Sequence, residues 1–154
     1  MLELVLFTTL VLFSFVVCQP FFYWVALGRV SRLLSAPAYI ELRQRINAVM
    51  NRRLPLLYGA ALVSALVLLG LAIARGERLV AVATGVAIAG LAADTVLAVR
   101  RNVPLNGLMD RWTASDPPED WAAHRTRWAQ GFAWRQAVLS ITYAVLLAGV
   151  LASR

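Results

Sequence analysis

The side chains equipped for chemistry are few, and most of them gather where apolar runs begin or end. Gln44, Asn47 and Asn51 precede one run, Asn102 and Asn106 follow another, and Trp121, Arg125, Trp128 and Arg135 lead into a third. Carboxamides beside a guanidinium can hold a polar or anionic oxygen, while indole rings cover an apolar ring. Such a belt would bind a flat, hydrophobic substrate bearing a few oxygens. The same residues have a plainer use, because asparagines cap helix ends and arginines reach out to phosphates. Asp94 stands apart, inside an apolar run, where an acid is costly unless paired or facing a cavity. Arg135 is its expected partner by depth, either in a structural ion pair or as part of a site. Gln19, beside Pro20, could face the same polar interior or hydrogen-bond between helices. His124 is the single histidine; it could act as a base or sit solvated at an interface.

One histidine and one cysteine, Cys18, exclude a histidine-rich or all-cysteine metal centre and an intrachain disulfide. The sequence has no Gly-rich phosphate loop, serine elbow or His-x-x-Glu arrangement. Conventional metal, nucleotide and acyl-transfer chemistry therefore has no support, and no cofactor is expected.

The elements that must position these residues are membrane helices. Of 154 residues, 60% are hydrophobic and only 15% charged, with a mean hydropathy of +0.69. Soluble domains carry roughly 25% charge. Four apolar runs, 4–27, 54–74, 79–99 and 136–152, approach or exceed the ~20 residues that cross a hydrocarbon core. The expectation is an all-α, four-helix transmembrane bundle forming a single domain over 1–154, with amphipathic helical connections. The first run lacks a basic leader and an A-x-A-like cleavage site, so it reads as a retained helix.

The net charge of +7 arises from 15 basic residues, all arginine. A basic protein could bind nucleic acid, but these arginines fall where a topology signal would put them. They cluster between the first two spans (Arg29, Arg32, Arg43, Arg45, Arg52, Arg53) and between the last two (Arg100, Arg101, Arg111, Arg125, Arg127, Arg135). Both connections are therefore expected in the cytoplasm of a cell whose inner membrane holds the chain, with both termini outside. The expected partners are the bilayer and a lipophilic small molecule or lipid, with no nucleic acid; a homo-oligomer is allowed.

Ser35 with Pro37 reads as a helix start, and Tyr39, Leu42, Ile46, Val49 and Met50 recur at helical spacing opposite a face of Glu41, Arg43, Gln44, Arg45 and Asn47. This stretch extends the second span or lies on the membrane surface. The short Arg75-Gly76-Glu77-Arg78 link makes spans two and three an antiparallel hairpin. Ala81, Gly85, Ala89 and Ala93 form a small-residue stripe suited to close helix packing. Pro104 is expected to break the third helix, and Asp116-Pro117-Pro118-Glu119 reads as the capped start of the fourth.

The segment Asn102-Val103-Pro104-Leu105-Asn106, followed by Trp112, Trp121, Arg125, Trp128 and Arg135, resembles the second half of the anthrone oxygenase-like family of small four-span membrane proteins. Gln44 to Asn51 resembles that family's amphipathic segment before the second span. Family members often carry a tryptophan and an asparagine where this chain has Gly131 and Phe132. The resemblance implies oxidation of an anthrone to an anthraquinone by oxygen without a cofactor. Such a reaction requires a base, an oxyanion stabiliser and a dry, flat pocket. On that reading Asn102, Asn106 and Arg135 would face the developing oxyanion. Trp121 and Trp128 would cover the ring, and His124 or Asp94 would remove the proton. The non-enzymatic alternative is a membrane protein that binds a lipid or a partner protein.

Overall fold

The computed structural model describes residues 1–153, and its architecture is a four-helix transmembrane bundle. The helices are α1 (Leu2–Leu33), α2 (Ala36–Ala74), α3 (Arg78–Met109) and α4 (Trp121–Ala152). Each packs on its neighbours in a closed ring, α1 on α2, α2 on α3, α3 on α4 and α4 back on α1, with the α3–α4 contact the most extensive. The termini and the tight Arg75–Arg78 turn, where Gly76 takes a positive φ of 73°, lie at one end. The long connections and most arginines lie at the other.

A helix of 39 residues is about 58 Å long, nearly twice the ~30 Å hydrocarbon core. The surplus of α2 therefore projects beyond the apolar slab and packs on the projecting parts of α3 and α4. The stretch before the second span is thus an extension of that span, begun at Ser35 with Pro37 in the first turn. Its buried side, however, is Tyr39, Ile40, Arg43 and Asn47, while Val49 is exposed. Arg43 and Asn47 turn inward because neighbouring helices offer them hydrogen-bond partners, which the membrane surface would not, while Glu41 and Arg45 stay exposed.

Three layers of side chains fill the bundle. Leu2, Leu6, Leu68, Ala72, Val80 and Val150 close the terminal end. Phe13, Val16, Ala61, Ala65, Ala83, Ala87, Leu91, Leu139 and Leu146 fill the middle. Tyr39, Met109, Trp128 and Phe132 close the arginine-rich end. Large apolar side chains such as Phe7, Leu66, Val82 and Ile141 point outward, as lipid contact requires.

Several local expectations are corrected. Pro104 does not break α3. A proline ring collides with the carbonyl four residues earlier, but residues 98–102 form a π-helical turn in which the Val103 N–H reaches back to the Ala98 carbonyl. The wider turn removes the collision. It also resets the helix phase. Residues 94 and 102 would lie about 80° apart on a regular helix, and the inserted residue brings them to within ~20°. Asp94 and Asn102 are accordingly both buried. A second π turn in α1, Tyr23–Leu27, follows Pro20 and bonds the Gly28 N–H to the Tyr23 carbonyl.

Helix α4 begins at Trp121 with Asp120 at its N-cap, not at Asp116. Pro118 disfavours helical geometry at Pro117, and Thr113 and Asp116 pair in an isolated bridge instead. The stripe Ala81, Gly85, Ala89 and Ala93 is not the packing face. Ala89 and Ala93 are exposed, and a Cβ on Gly85 would meet nothing within 4 Å. Close approach of α3 to α4 occurs instead at Gly90 against Thr142 and at Ala83 against Gly149. Overpacking there should cost about 1–3 kcal/mol. Gly90→Val should lower the thermal midpoint of the purified protein by several degrees, with Gly85→Val unchanged within error; equal melting of the two variants would contradict this packing.

Candidate functional site

The expected belt separates into two polar centres and a cleft. The deeper centre joins three helices. Arg135 on α4 donates from Nε to Asp94 Oδ1 at 2.8 Å and from Nη2 to Oδ2 at 3.1 Å. Tyr58 on α2 donates to Asp94 Oδ2 at 2.7 Å and accepts from Arg135 Nη2 at 3.1 Å. Asp94 is wholly buried, and 11% of the Arg135 side chain is exposed. A fork-on-fork pair of this kind satisfies both charges directionally. Its donors and acceptors already serve one another, so the centre works as a clamp.

The second centre lies about two turns toward the arginine-rich end. Arg43 is buried, and its Nη2 donates to Asn47 Oδ1 at 3.1 Å and Asn106 Oδ1 at 2.9 Å. Asn106 Oδ1 also accepts from the Trp128 indole at 2.7 Å. Asn47 donates to Asp110 at 2.8 Å, and Asn102 Nδ2 donates to the Trp128 carbonyl at 3.0 Å. The Arg43 guanidinium carbon stands 3.9 Å from the Trp128 ring centre, a cation–π contact. Gln44 ties the following loop down by donating to the carbonyls of Met109 at 3.1 Å and Trp112 at 2.8 Å. Gly131 lets α3 close on this point, since a Cβ there would sit 3.2 Å from Asn102 Oδ1.

Beside these centres a cleft of about 480 Å³ opens between α1 and α4 toward the arginine-rich end. Tyr23, Trp24 and Phe132 wall it, and Ser31, Arg32, Arg125, Thr126, Gln130 and Gln136 supply polar atoms. The walls are continuous with the second centre. Tyr23 meets Trp128 edge-on at 5.1 Å and Phe132 at 4.8 Å, and Phe132 stacks on Trp128 at 4.8 Å. Arg125 caps the end of α1, donating to the carbonyls of Ser31 at 3.1 Å and Arg32 at 3.4 Å. Its guanidinium also lies 4.6 Å from the Trp121 ring centre. A cation at a helix C-terminus is favourably placed against the helix dipole.

The structure therefore brings together Asn47, Asn102, Asn106 and Trp128, with Gln44 and Arg125 at the borders. It holds Arg135 and Asp94 in the separate clamp, so the grouping of Arg135 with Asn102 and Asn106 around one oxygen does not occur. Asn51 is exposed outside the cluster, and Trp121 supports Arg125 and Tyr39 rather than lining the cleft. His124 is held by Asp120, 3.3 Å between ring Nδ1 and Oδ2, against the Trp112 edge. Eleven residues along α4 separate His124 from Arg135, about 16 Å of helix. Neither His124 nor Asp94 lines the cleft. Among the described residues no cluster of three metal-ligating side chains occurs.

Arg43, Tyr58, Tyr23 and Phe132 are not among the site residues expected from the sequence. Arg43 was legible in principle, because Tyr39, Arg43 and Asn47 recur every fourth residue and so share a face. Tyr58 could have been found as the phenol in span two at the depth of Asp94. Searches against family models, curated proteins and solved structures return no match for this chain.

Removing one partner of a buried ion pair costs about 3–5 kcal/mol, whereas replacing both with apolar groups is often close to neutral. Asp94→Asn should therefore destabilise the protein far more than the double variant Asp94→Leu/Arg135→Leu, as read by chemical unfolding in detergent. A double variant as unstable as the single one would contradict the clamp.

Proposed function

We propose that this protein is a cofactor-independent, oxygenase-like enzyme of the inner membrane that acts on a lipophilic, anthrone-type aromatic ketone. The observation that carries this reading is the aromatic-walled cleft, which opens between two helices and ends in guanidinium groups. A flat fused-ring ketone dissolved in lipid can enter sideways, stack against Tyr23 and Phe132, and turn its oxygens to the polar end. The distribution of charge supports a cytoplasmic arginine-rich end, with both termini outside. The resemblance of Asn102–Asn106 and the tryptophans that follow supports the same substrate class.

The chemistry required of the chain is modest. A ring carbon of the ketone loses a proton to water at the cleft mouth, and the resulting enolate is stabilised by a guanidinium. The carbanion then reduces molecular oxygen, and loss of water gives the quinone. Overall one ketone and one O2 yield one quinone and one H2O. The cleft contributes orientation and exclusion of bulk water.

One observation favours a non-enzymatic alternative. The same α1–α4 seam carries a second hollow of about 470 Å³ at the terminal end, walled by Leu6, Phe7, Leu10, Leu147, Val150 and Leu151 with Glu3 at its edge. A lipid acyl chain fits a seam of this kind, so lipid or partner binding is the competing reading.

Purified protein in lipid nanodiscs, supplied with anthrone under oxygen, should consume one O2 per quinone formed, faster than empty nanodiscs. Ala133→Trp, at an exposed wall position of the cleft, should lower the rate by at least about tenfold, the equivalent of ~1.4 kcal/mol in the barrier, with melting unchanged. No turnover above empty nanodiscs, together with a stoichiometric co-purified lipid, would favour the alternative.

A further inference from the structure

The α1–α4 cleft carries a charge that the chain does not balance. Two of its lining residues are arginines and none is acidic. Arg125 is partly engaged: its Nη1 donates to the Ser31 and Arg32 carbonyls, and its guanidinium lies across the Trp121 ring. Those bonds hold the end of α1 against α4, so Arg32 stands beside Arg125 at the mouth. Arg32 is exposed, and among the described residues its guanidinium has no hydrogen-bond, ion-pair or ring partner. The ion pairs of the described residues, Arg135 with Asp94 and His124 with Asp120, leave both cleft arginines without a carboxylate. Beyond this mouth the walls turn apolar, through Tyr23, Trp24 and Phe132 to Ala133 and Ala137.

We infer that an anionic phospholipid seats in this cleft, with its phosphoryl group between Arg32 and Arg125 and one acyl chain along the aromatic walls, and that it competes there with the ligand. Only the competition rests on the reading of the cleft as an enzyme's site; the lipid seat stands on the cleft's own charge and shape. Basic pockets between membrane helices bind anionic headgroups. Trp24 is 68% exposed, as an indole at the membrane interface is. Arg32 lies about two turns further along α1, from where a guanidinium folded back along its stem reaches the phosphates.

Other occupants match the cleft on one count only. A zwitterionic headgroup brings a cation of its own against two guanidiniums. Inorganic phosphate leaves the apolar walls uncovered, and an acidic peptide segment would carry unpaired backbone groups to membrane depth. The terminal hollow on the same seam has no arginine among its described walls, so selection by charge belongs to this end.

The test counts lipids retained by the full chain in native mass spectrometry, from micelles holding equal amounts of phosphatidylglycerol and phosphatidylcholine. The wild type should keep one phosphatidylglycerol with a preference of roughly 10–30-fold, about fivefold for each arginine near the headgroup. Arg32→Gln/Arg125→Gln should bring that preference near parity, and Ala133→Trp, which fills the apolar wall, should release the lipid. Arg52→Gln/Arg53→Gln, exposed and outside the cleft, should leave it within about twofold, because distant surface charges are screened. If the Arg125 variant does not fold, Arg32→Glu, which removes no helix cap, is read in its place. Equal retention of phosphatidylcholine, equal loss in the Arg52/Arg53 variant, or displacement of the lipid by glycerol phosphate alone would overturn the lipid seat. Competition is read in nanodiscs, where phosphatidylglycerol should raise the KM for anthrone without lowering kcat, an effect that Arg32→Glu should remove. Turnover indifferent to the lipid would overturn the competition. Absence of turnover with the lipid retained would overturn the enzyme reading and leave the lipid seat standing.

Discussion

A carboxylate inside a membrane-crossing bundle has to be neutralised, and the pairing of Asp94 with Arg135 under Tyr58 is the constraint on which the rest of the arrangement depends. Each member comes from a different helix, so a directional pair fixes the relative height and rotation of α2, α3 and α4 together. Two turns further along, the same register sets Asn102 beneath the Trp128 carbonyl and Asn106 beside its indole. The π turn at 98–102 is what allows α3 to present both Asp94 and Asn102 inward. Without it the two would lie about 80° apart around α3, and one of them would turn away from its hydrogen-bond partners in the bundle.

The packing follows the same division. The terminal end and middle are apolar and closely approached, with Gly90 and Gly149 admitting Thr142 and Ala83. The arginine-rich end is aromatic and hydrogen-bonded, and it projects beyond the length that the hydrocarbon core can cover. α1 closes the ring with less extensive contact than α3 makes with α4, and both hollows lie along its seam with α4. A bundle clamped on three helices and looser at the fourth is suited to admit a lipophilic molecule sideways.

Much of this was legible in the sequence, for identifiable reasons. Hydropathy and helix length fix the four spans, because a bilayer accepts only helices whose backbone groups are satisfied internally. The Asp94–Arg135 pairing could be read from depth, since a buried acid must find the one cation near its level. The faces of α2 and α3 could not. Amphipathic spacing sets Arg43 and Asn47 opposite the apolar side of α2, and it is hydrogen bonds to Asn106 and Asp110 on α3 that draw them inward. The small-residue stripe at Ala81, Gly85, Ala89 and Ala93 has the right period for packing, and a period alone does not say which face meets a neighbour. Pro104 continues the helix because an inserted residue, invisible in local pattern, absorbs the proline. The belt divides: Arg43 occupies the place among the asparagines expected for Arg135, and Asn51 lies outside the cluster.

The central claim is that the seam between α1 and α4 is the ligand site, and photolabelling addresses it most directly. A benzophenone probe, reconstituted with the protein in nanodiscs and irradiated, should mark residues 23–32 of α1 and 126–137 of α4, with anthraquinone competing the label away. Label spread over the outward residues Phe7, Leu66, Val82 and Ile141, and indifferent to the competitor, would contradict the account.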